Sequence, residues 1–320
     1  MSEVDTLAQI SGQYHHTDLP FEELISQIDR LRQEKNAVVL AHNYQTPEVQ
    51  DIADFTGDSL GLAVEASRTD ADLIVFCGVH FMAESAKILS PKKTVLLPHL
   101  GAGCALSDSI TPESLDEWKE MYPEHTVVTY VNSSAEVKAE SDICCTSANA
   151  VSVVRSLNTD DVLFTPDRNL GRWVAQQIPE KNIAIYDGVC PTHDVLRQAS
   201  VDRTRSEYPD AIIIAHPECP PDVIKASDFT GSTSGMIKYV KDNQPEKVMM
   251  VTECSMSDNV QVDNPNVKFI RPCNLCPHMK KITLPKILDC LENETNEIIM
   301  DNITIEKARN SVERMVKIGR

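Results

Sequence analysis

The chain has 320 residues, 42% of them hydrophobic and 24% charged, which excludes disorder as its main state. Thirty basic residues against 48 acidic ones leave a formal charge of −18, which argues against nucleic acid or an anionic membrane as a partner. No apolar run approaches the ~20 residues of a membrane span, and the acidic opening MSEVDTLAQI does not read as a signal peptide, so the expected address is cytoplasmic. Thiols stay reduced there, and the ten cysteines read as core filler, metal ligands or nucleophiles rather than as a disulfide framework.

In chain order, Leu19–Arg32 carries apolar residues at Phe21, Leu24, Ile25, Ile28 and Leu31, the spacing of an amphipathic helix. Apolar, β-branched runs follow at Ala37–Ala41, Leu73–Cys77, Thr94–Leu97, Thr126–Val131, Val162–Thr165, Ile183–Tyr186, Ala211–Ala215, Val248–Thr252 and Val267–Ile270. They lack strict alternation, as strands buried on both faces of parallel sheets do. Helical patterns lie between them, at Asp58–Thr69, Ala83–Leu89, Thr111–Met121, Ser147–Leu157 and Asp222–Ala226, and the terminal stretch 296–320 also reads as helix. Strands alternating with helices give an α/β fold of nine expected strands.

Self-comparison divides the chain. Asp54-Phe55-Thr56-Gly57-Asp58-Ser59 returns as Asp228-Phe229-Thr230-Gly231-Ser232-Thr233, with a weaker copy at Asp142-Ile143-Cys144-Cys145-Thr146-Ser147. The strand ends Tyr44, Tyr130 and His216 step by 86 residues, and so do Cys104, Cys190 and Cys276. Three repeated features in step predict three similar α/β/α three-layer domains with small parallel sheets, arranged about a pseudo-threefold axis around a central active site. The domain limits expected are 1–108, 109–195 and 196–295, with 296–320 packing back on the first.

Ligands sit beyond the carboxyl ends of strands in parallel sheets, and the repeated features fall at such ends. Converging there, Cys104, Cys190 and Cys276 place three thiolates around one point, which suits a metal centre. Structural zinc commonly uses close pairs and four protein ligands. An iron–sulfur cluster commonly takes four cysteines; with three, one iron keeps an open position and acts as a Lewis acid, suited to dehydration or condensation. Ser59, Ser147 and Thr233 are expected as helix N-caps, and with Ser232 and Asn132 they supply donors for an anionic substrate. His42, Tyr44, His193, His216 and Glu218 supply titratable groups for proton transfer.

The strings His42-Asn43-Tyr44, Gly57-Asp58-Ser59-Leu60, His80-Phe81-Met82-Ala83-Glu84, Gly101-Ala102-Gly103-Cys104, Tyr130-Val131-Asn132, Cys190-Pro191-Thr192-His193, His216-Pro217-Glu218-Cys219 and Cys276-Pro277-His278-Met279-Lys280-Lys281 resemble the quinolinate synthase family from about residue 22 to residue 310. The resemblance implies three α/β/α domains around a [4Fe–4S] cluster held by Cys104, Cys190 and Cys276. It implies condensation of iminosuccinate with dihydroxyacetone phosphate to quinolinate, phosphate and water on the route to NAD. Glu218, Tyr44 and His42 become the acid–base candidates, and His42, Ser59, Tyr130, Asn132, Ser147, His193, His216, Glu218, Ser232 and Thr233 the substrate-binding set. Beyond the two small substrates, the enzyme supplying iminosuccinate is a candidate protein partner, and the chain is a monomer or homodimer. Some members carry a third cysteine after the last ligand; here Met279 stands in its place after Cys273-Asn274-Leu275-Cys276.

Plainer readings hold elsewhere. Cys77, Cys144, Cys145, Cys219, Cys254 and Cys290 read as core packing, while His15, His16, His99, His125 and His278 read as structural or exposed. Glu84 and Lys87 read as packing one unit on its neighbour. The competing functions are another metal- or cluster-dependent hydro-lyase using the same cysteine triple, and a redox-sensing cluster protein, for which Glu218 and the anion donors would be unnecessary.

Overall fold

The computed structural model describes residues 19–271 and 274–319. Its strands are β1 (Ala37–His42), β2 (Phe55–Gly57), β3 (Leu73–Cys77), β4 (Thr94–Leu96), β5 (Thr126–Tyr130), β6 (Ile143–Cys145), β7 (Asp161–Thr165), β8 (Asn182–Ile185), β9 (Ile212–Ala215), β10 (Phe229–Thr230), β11 (Lys247–Val251) and β12 (Lys268–Ile270). They form three four-stranded sheets of one order, β2-β1-β3-β4, β6-β5-β7-β8 and β10-β9-β11-β12, and the pairing is parallel in each. The protein is therefore α/β, with three similar α/β/α units.

Nine strands fall where the apolar runs place them. The other three, β2, β6 and β10, lie in the copies of the Asp-Phe-Thr-Gly string, where no strand was expected. Each is a two- or three-residue edge strand, and the aspartate before it explains why so short a segment stays paired. Asp54 accepts from the Val39 N–H, Asp142 from Val127 and Asp228 from Ile213, each at 2.8 Å. The same aspartates donate their own N–H groups back to the carbonyls of Val39, Val127 and Ile213. A clamp of two bonds thus replaces the missing length of strand.

The registers show which residues are equivalent. Val39 pairs with Val75 and Val75 with Leu96; the matching rows are Val127–Leu163–Ala184 and Ile213–Met249–Ile270. The ends of the first strands are thus His42, Tyr130 and His216, so the expected triple of Tyr44, Tyr130 and His216 is two residues out in the first unit. Cys104 lies eight residues beyond Leu96, whereas Cys190 and Cys276 lie six beyond Ala184 and Ile270. Two additional residues in the loop after β4 restore the even cysteine spacing and conceal the offset.

The helices that carry the argument are α1 (Phe21–Glu34), α2 (Ser59–Arg68), α3 (His80–Leu89), α4 (Arg168–Gln177), α5 (Thr233–Asn243), α6 (Ser255–Asp263), α7 (Leu284–Asn293) and α8 (Asn302–Ile318). α1 lies against α7 and β1, burying Leu24, Ile28 and Leu31 on one face and thereby contributing roughly 1.5–3 kcal/mol per side chain. Expected to pack back on the first unit, α8 touches both the first and the second. Arg309 donates to the Ile88 carbonyl at the end of α3, Ser311 to Lys138 and Arg314 to Asp142. Glu84 joins the same two units, accepting from the Ala135 N–H at 3.1 Å with the buried Lys138 ammonium 4.0 Å away. No described helix is long and apolar enough to cross a membrane.

Candidate active site

The carboxyl ends of the three sheets line one cavity of about 190 Å³. Cys104, Cys190 and Cys276 all border it, one from each unit, as do His42, Tyr44, Ser59, Tyr130, Asn132, Ser147, His193, His216, Glu218 and Thr233. Ser232 does not line it. That hydroxyl accepts from Gly235 N–H at 3.2 Å as the N-cap of α5. The caps differ from expectation in each unit. Asp58 caps α2 and Ser232 caps α5, leaving Ser59 and Thr233 as first helical residues. In the second unit Asn149 precedes the helix Ala150–Arg155 and accepts from Thr146 N–H, so Ser147 stands before the helix. His278, expected as structural or exposed, borders the cavity.

One strand-end motif accounts for much of the geometry. His42 Nδ1 accepts from the N–H of Tyr44 at 3.1 Å, and His216 Nδ1 from the N–H of Glu218 at 3.4 Å. The His42 ring is thereby set with its proton on Nε2, whereas His216 Nδ1 also faces the Glu218 carboxylate and its Nε2 lies 3.1 Å from Ser147 Oγ. Burial lowers the pKa of His42 to about 4, and it lowers that of His216 against the pull of Glu218. Both are neutral donors near pH 7.

Two residues beyond these strand ends stand Tyr44, Asn132 and Glu218. Glu218 Oε2 lies 2.7 Å from His193 Nδ1 and 3.5 Å from His216 Nδ1. Burial alone would raise its pKa, yet His193 and His216 hold the carboxylate well below its usual range. His193 Nδ1 is also 3.2 Å from Cys190 Sγ, while its Nε2 lies 2.9 Å from Thr252 Oγ1. Thr252 Oγ1 is in turn 2.7 Å from the Tyr44 hydroxyl. A continuous chain therefore runs Tyr44–Thr252–His193–Glu218. Burial, reinforced by Glu218, raises the Tyr44 phenol well above its ordinary pKa, so it remains a proton carrier.

The donor set fits a thiolate-bound metal centre. Burial pushes the Cys104 thiol up to about 12 and the Cys190 thiol well above its ordinary value, the latter helped by Glu218. Thiols in that state become thiolates when a cation joins them. Glu218 Oε1, Asn132 Oδ1 and His278 Nδ1 are buried without a partner, the mark of groups that meet something further. Among the described residues bordering the cavity there is neither lysine nor arginine. A second grouping is present too: ligand atoms of Cys190, His193 and Glu218 lie within 4.8 Å of one another.

The remaining cysteines divide cleanly. Cys77, Cys144, Cys145, Cys219 and Cys290 are buried free thiols. Cys254, expected as core packing, is the one described cysteine that is not a free thiol. Cys273 lies outside the described residues, as do His15 and His16.

A family profile described as "Quinolinate synthetase A protein" matches residues 26–317. The chain belongs to that family. It is 54% identical over 292 residues to the quinolinate synthase of Sinorhizobium fredii, covering 91% of this chain and 81% of that one. To the quinolinate synthase of Alkaliphilus metalliredigens it is 51% identical, covering 92% and 98% of the two chains. For that of Xylella fastidiosa the figures are 50%, 94% and 88%. Among solved structures, UDP-GlcNAc 2-epimerase from Neisseria meningitidis aligns with 84% of this chain and 72% of its own at 12% identity, with a TM-score of 0.16, which says nothing of this fold.

Sequence reading overlooked Thr252, Asp58, Phe81 and Met82, of which all but Thr252 border the cavity. Thr252 follows β11, the third strand of its sheet. Sheet register is the signal that would find it: third-strand ends open on the same cavity as first-strand ends.

Proposed function

We propose that the chain is a quinolinate synthase of NAD biosynthesis, condensing iminosuccinate with dihydroxyacetone phosphate to quinolinate, phosphate and water. Cys104, Cys190 and Cys276 would hold a [4Fe–4S] cluster, and when bound it supplies an open iron as a Lewis acid for a substrate oxygen or nitrogen. The observation that carries this reading is the convergence on one cavity of three cysteines from three units, facing the Glu218–His193 pair. The family match supports the reaction.

The chain's own residues then have the following work. Glu218, held ionised, takes a proton from a substrate carbon or hydroxyl. His193 passes protons between Glu218 and the Thr252–Tyr44 arm, which returns them to a leaving hydroxyl. Proton transfer of this kind contributes roughly 10²–10⁴ in rate. With neither lysine nor arginine among the described residues of the wall, carboxylates and phosphate are held by neutral donors: the Ser59, Ser147 and Thr233 hydroxyls, His42, Tyr130, Asn132 and the N–H groups at the start of α5. The cytoplasm suits the reduced thiols this site requires.

The second reading is a single-metal hydro-lyase, favoured by the Cys190–His193–Glu218 grouping. Anaerobic purification followed by iron, sulfide and zinc analysis, with quinolinate formation assayed in parallel, separates the two. The proposal expects iron with acid-labile sulfide and quinolinate from the two substrates. Bound zinc without sulfide would replace it with the second reading.

A further inference from the structure

The loops that present the three cysteines are tied to the turns after the third strands, and the ties are unequal. One tie is common to all three units and uses backbone alone. His80 N–H donates to the Ala102 carbonyl at 2.8 Å, Arg168 N–H to Gly188 at 2.8 Å, and Cys254 N–H to Asn274 at 3.0 Å. Each acceptor lies two residues before the ligand cysteine. In the second unit this approach is so close that a Cβ on Gly188 would come within 2.6 Å of the Pro166 carbonyl oxygen.

A second tie exists in two units only. Asp167 Oδ2 accepts from the N–H of Cys190 at 3.2 Å, while its Oδ1 accepts from Leu170 N–H at 2.7 Å. Glu253 Oε1 accepts from the N–H of Cys276 at 3.3 Å, while its Oε2 accepts from Ser255 N–H at 2.9 Å. Both residues lie 23 positions before their cysteine and four beyond the paired residues Leu163 and Met249. Both are completely buried. The same register places Val79 at this point of the first unit, and an isopropyl group accepts no hydrogen bond.

We propose that Asp167 and Glu253 are positioning residues for the metal centre, each fixing the backbone of one ligand cysteine, and that the first unit lacks this device by virtue of Val79. The geometry alone carries the argument. Each carboxyl group spans two N–H groups with two different oxygens, so it locks the cysteine loop to the first turn of the following helix. An amide of the same shape has one acceptor oxygen and must release one of the two in any ionisation state. Outer residues that orient metal ligands typically matter by 10- to 100-fold in metal affinity or activity.

The inference rests on the cluster reading, and its test keeps the two apart. Full-length Asp167→Asn and Glu253→Gln proteins are purified anaerobically beside the parent. Hydrogen exchange is followed by mass spectrometry on peptides carrying Cys104, Leu170, Cys190, Ser255 and Cys276. Asp167→Asn should speed exchange by at least tenfold at the Cys190 or the Leu170 amide and leave Cys276 and Ser255 unchanged; Glu253→Gln should do so at the Cys276 or the Ser255 amide and leave Cys190 and Leu170 unchanged, and neither should alter Cys104. Iron release to a chelator should quicken about tenfold in both variants, and the paramagnetic resonance spectrum of the reduced protein should change. Folded variants with parental exchange at both of their own amides, or with parental iron release, would overturn the proposal. A parent without iron and sulfide would instead defeat the cluster reading, and the amide exchange would still decide whether these carboxylates position the cysteines.

Discussion

The first unit and the other two are built on one backbone plan and equipped with different side chains. All three share the sheet order, the aspartate clamp on the first strand and the backbone tie from the third-strand turn to the cysteine loop. At the first-strand ends, by contrast, the pairs are His42 with Tyr44, Tyr130 with Asn132, and His216 with Glu218. At the third-strand turns the residues are Val79, Asp167 and Glu253. The lesson is that repetition here builds the cavity, while departures from repetition make its chemistry. A strictly symmetric site would hold three equal ligands and have no preferred base. This one sets the Glu218 carboxylate against two histidines, His193 and His216, on one wall.

The largest effect that tests the comparison is loss of a ligand. Cys104→Ser and Cys190→Ser should each be isolated without the iron and sulfide of the parent, and without turnover, whereas Cys145→Ser in the core of the second unit should keep both. If Cys104→Ser retained its iron, the first unit would not be equivalent to the others at the metal. Next comes the strand-end set. Glu218→Gln should retain metal and lose roughly 10²–10⁴ in kcat. Asn132→Ala, at the matching position of the second unit, should chiefly raise KM. Equal losses of kcat in both would mean that the third unit holds no privileged base.

Much of this was legible in the sequence, for definite physical reasons. Strands buried on both faces must be apolar throughout, so nine of them announce themselves. A metal site built from repeats leaves evenly spaced cysteines. What stayed hidden depends on position rather than identity. Phe229 and Thr230 form a two-residue strand that Asp228 clamps to β9. The offset of Tyr44 was masked by the longer loop before Cys104. Asp167, Glu253 and Val79 occupy one position with three identities, so comparing letters cannot align them, whereas strand pairing does. Thr252 escaped for the same reason: nothing about a threonine next to β11 announces that its hydroxyl joins Tyr44 to His193.

Acid should separate the units more mildly. With its folded pKa at about 4 against an ordinary 6.5, His42 takes up protons more readily when the chain is unfolded, so it favours the folded state above pH 6.5 and loses that contribution as pH falls towards 4, by about 3 kcal/mol in all. His216 shifts in the same direction. Tyr130, at the equivalent place in the second unit, has a pKa raised well above its ordinary value by burial and contributes nothing in this range. Denaturant titrations at pH 7 and pH 4.5 should therefore show a smaller acid loss for His42→Asn than for the parent, and an unchanged acid loss for Tyr130→Phe.

The smallest effect addresses what the units share. Replacing Asp54, Asp142 or Asp228 by alanine removes one acceptor from a strand N–H, at about 1 kcal/mol each for a partly exposed group. The side chains also differ slightly in their surroundings: Arg32 pairs with Asp54 and Arg205 with Asp228, both at 3.0 Å, whereas Arg314 reaches the backbone carbonyl of Asp142. Exposed pairs of this kind add about 0–1 kcal/mol and weaken with salt. Asp54→Ala and Asp228→Ala should thus cost a few tenths of a kcal/mol more than Asp142→Ala at low ionic strength, and in 1 M salt the three unfolding midpoints should converge. A first-unit variant that remained far less stable than the others in high salt would show that the clamp is not the common element the geometry makes it.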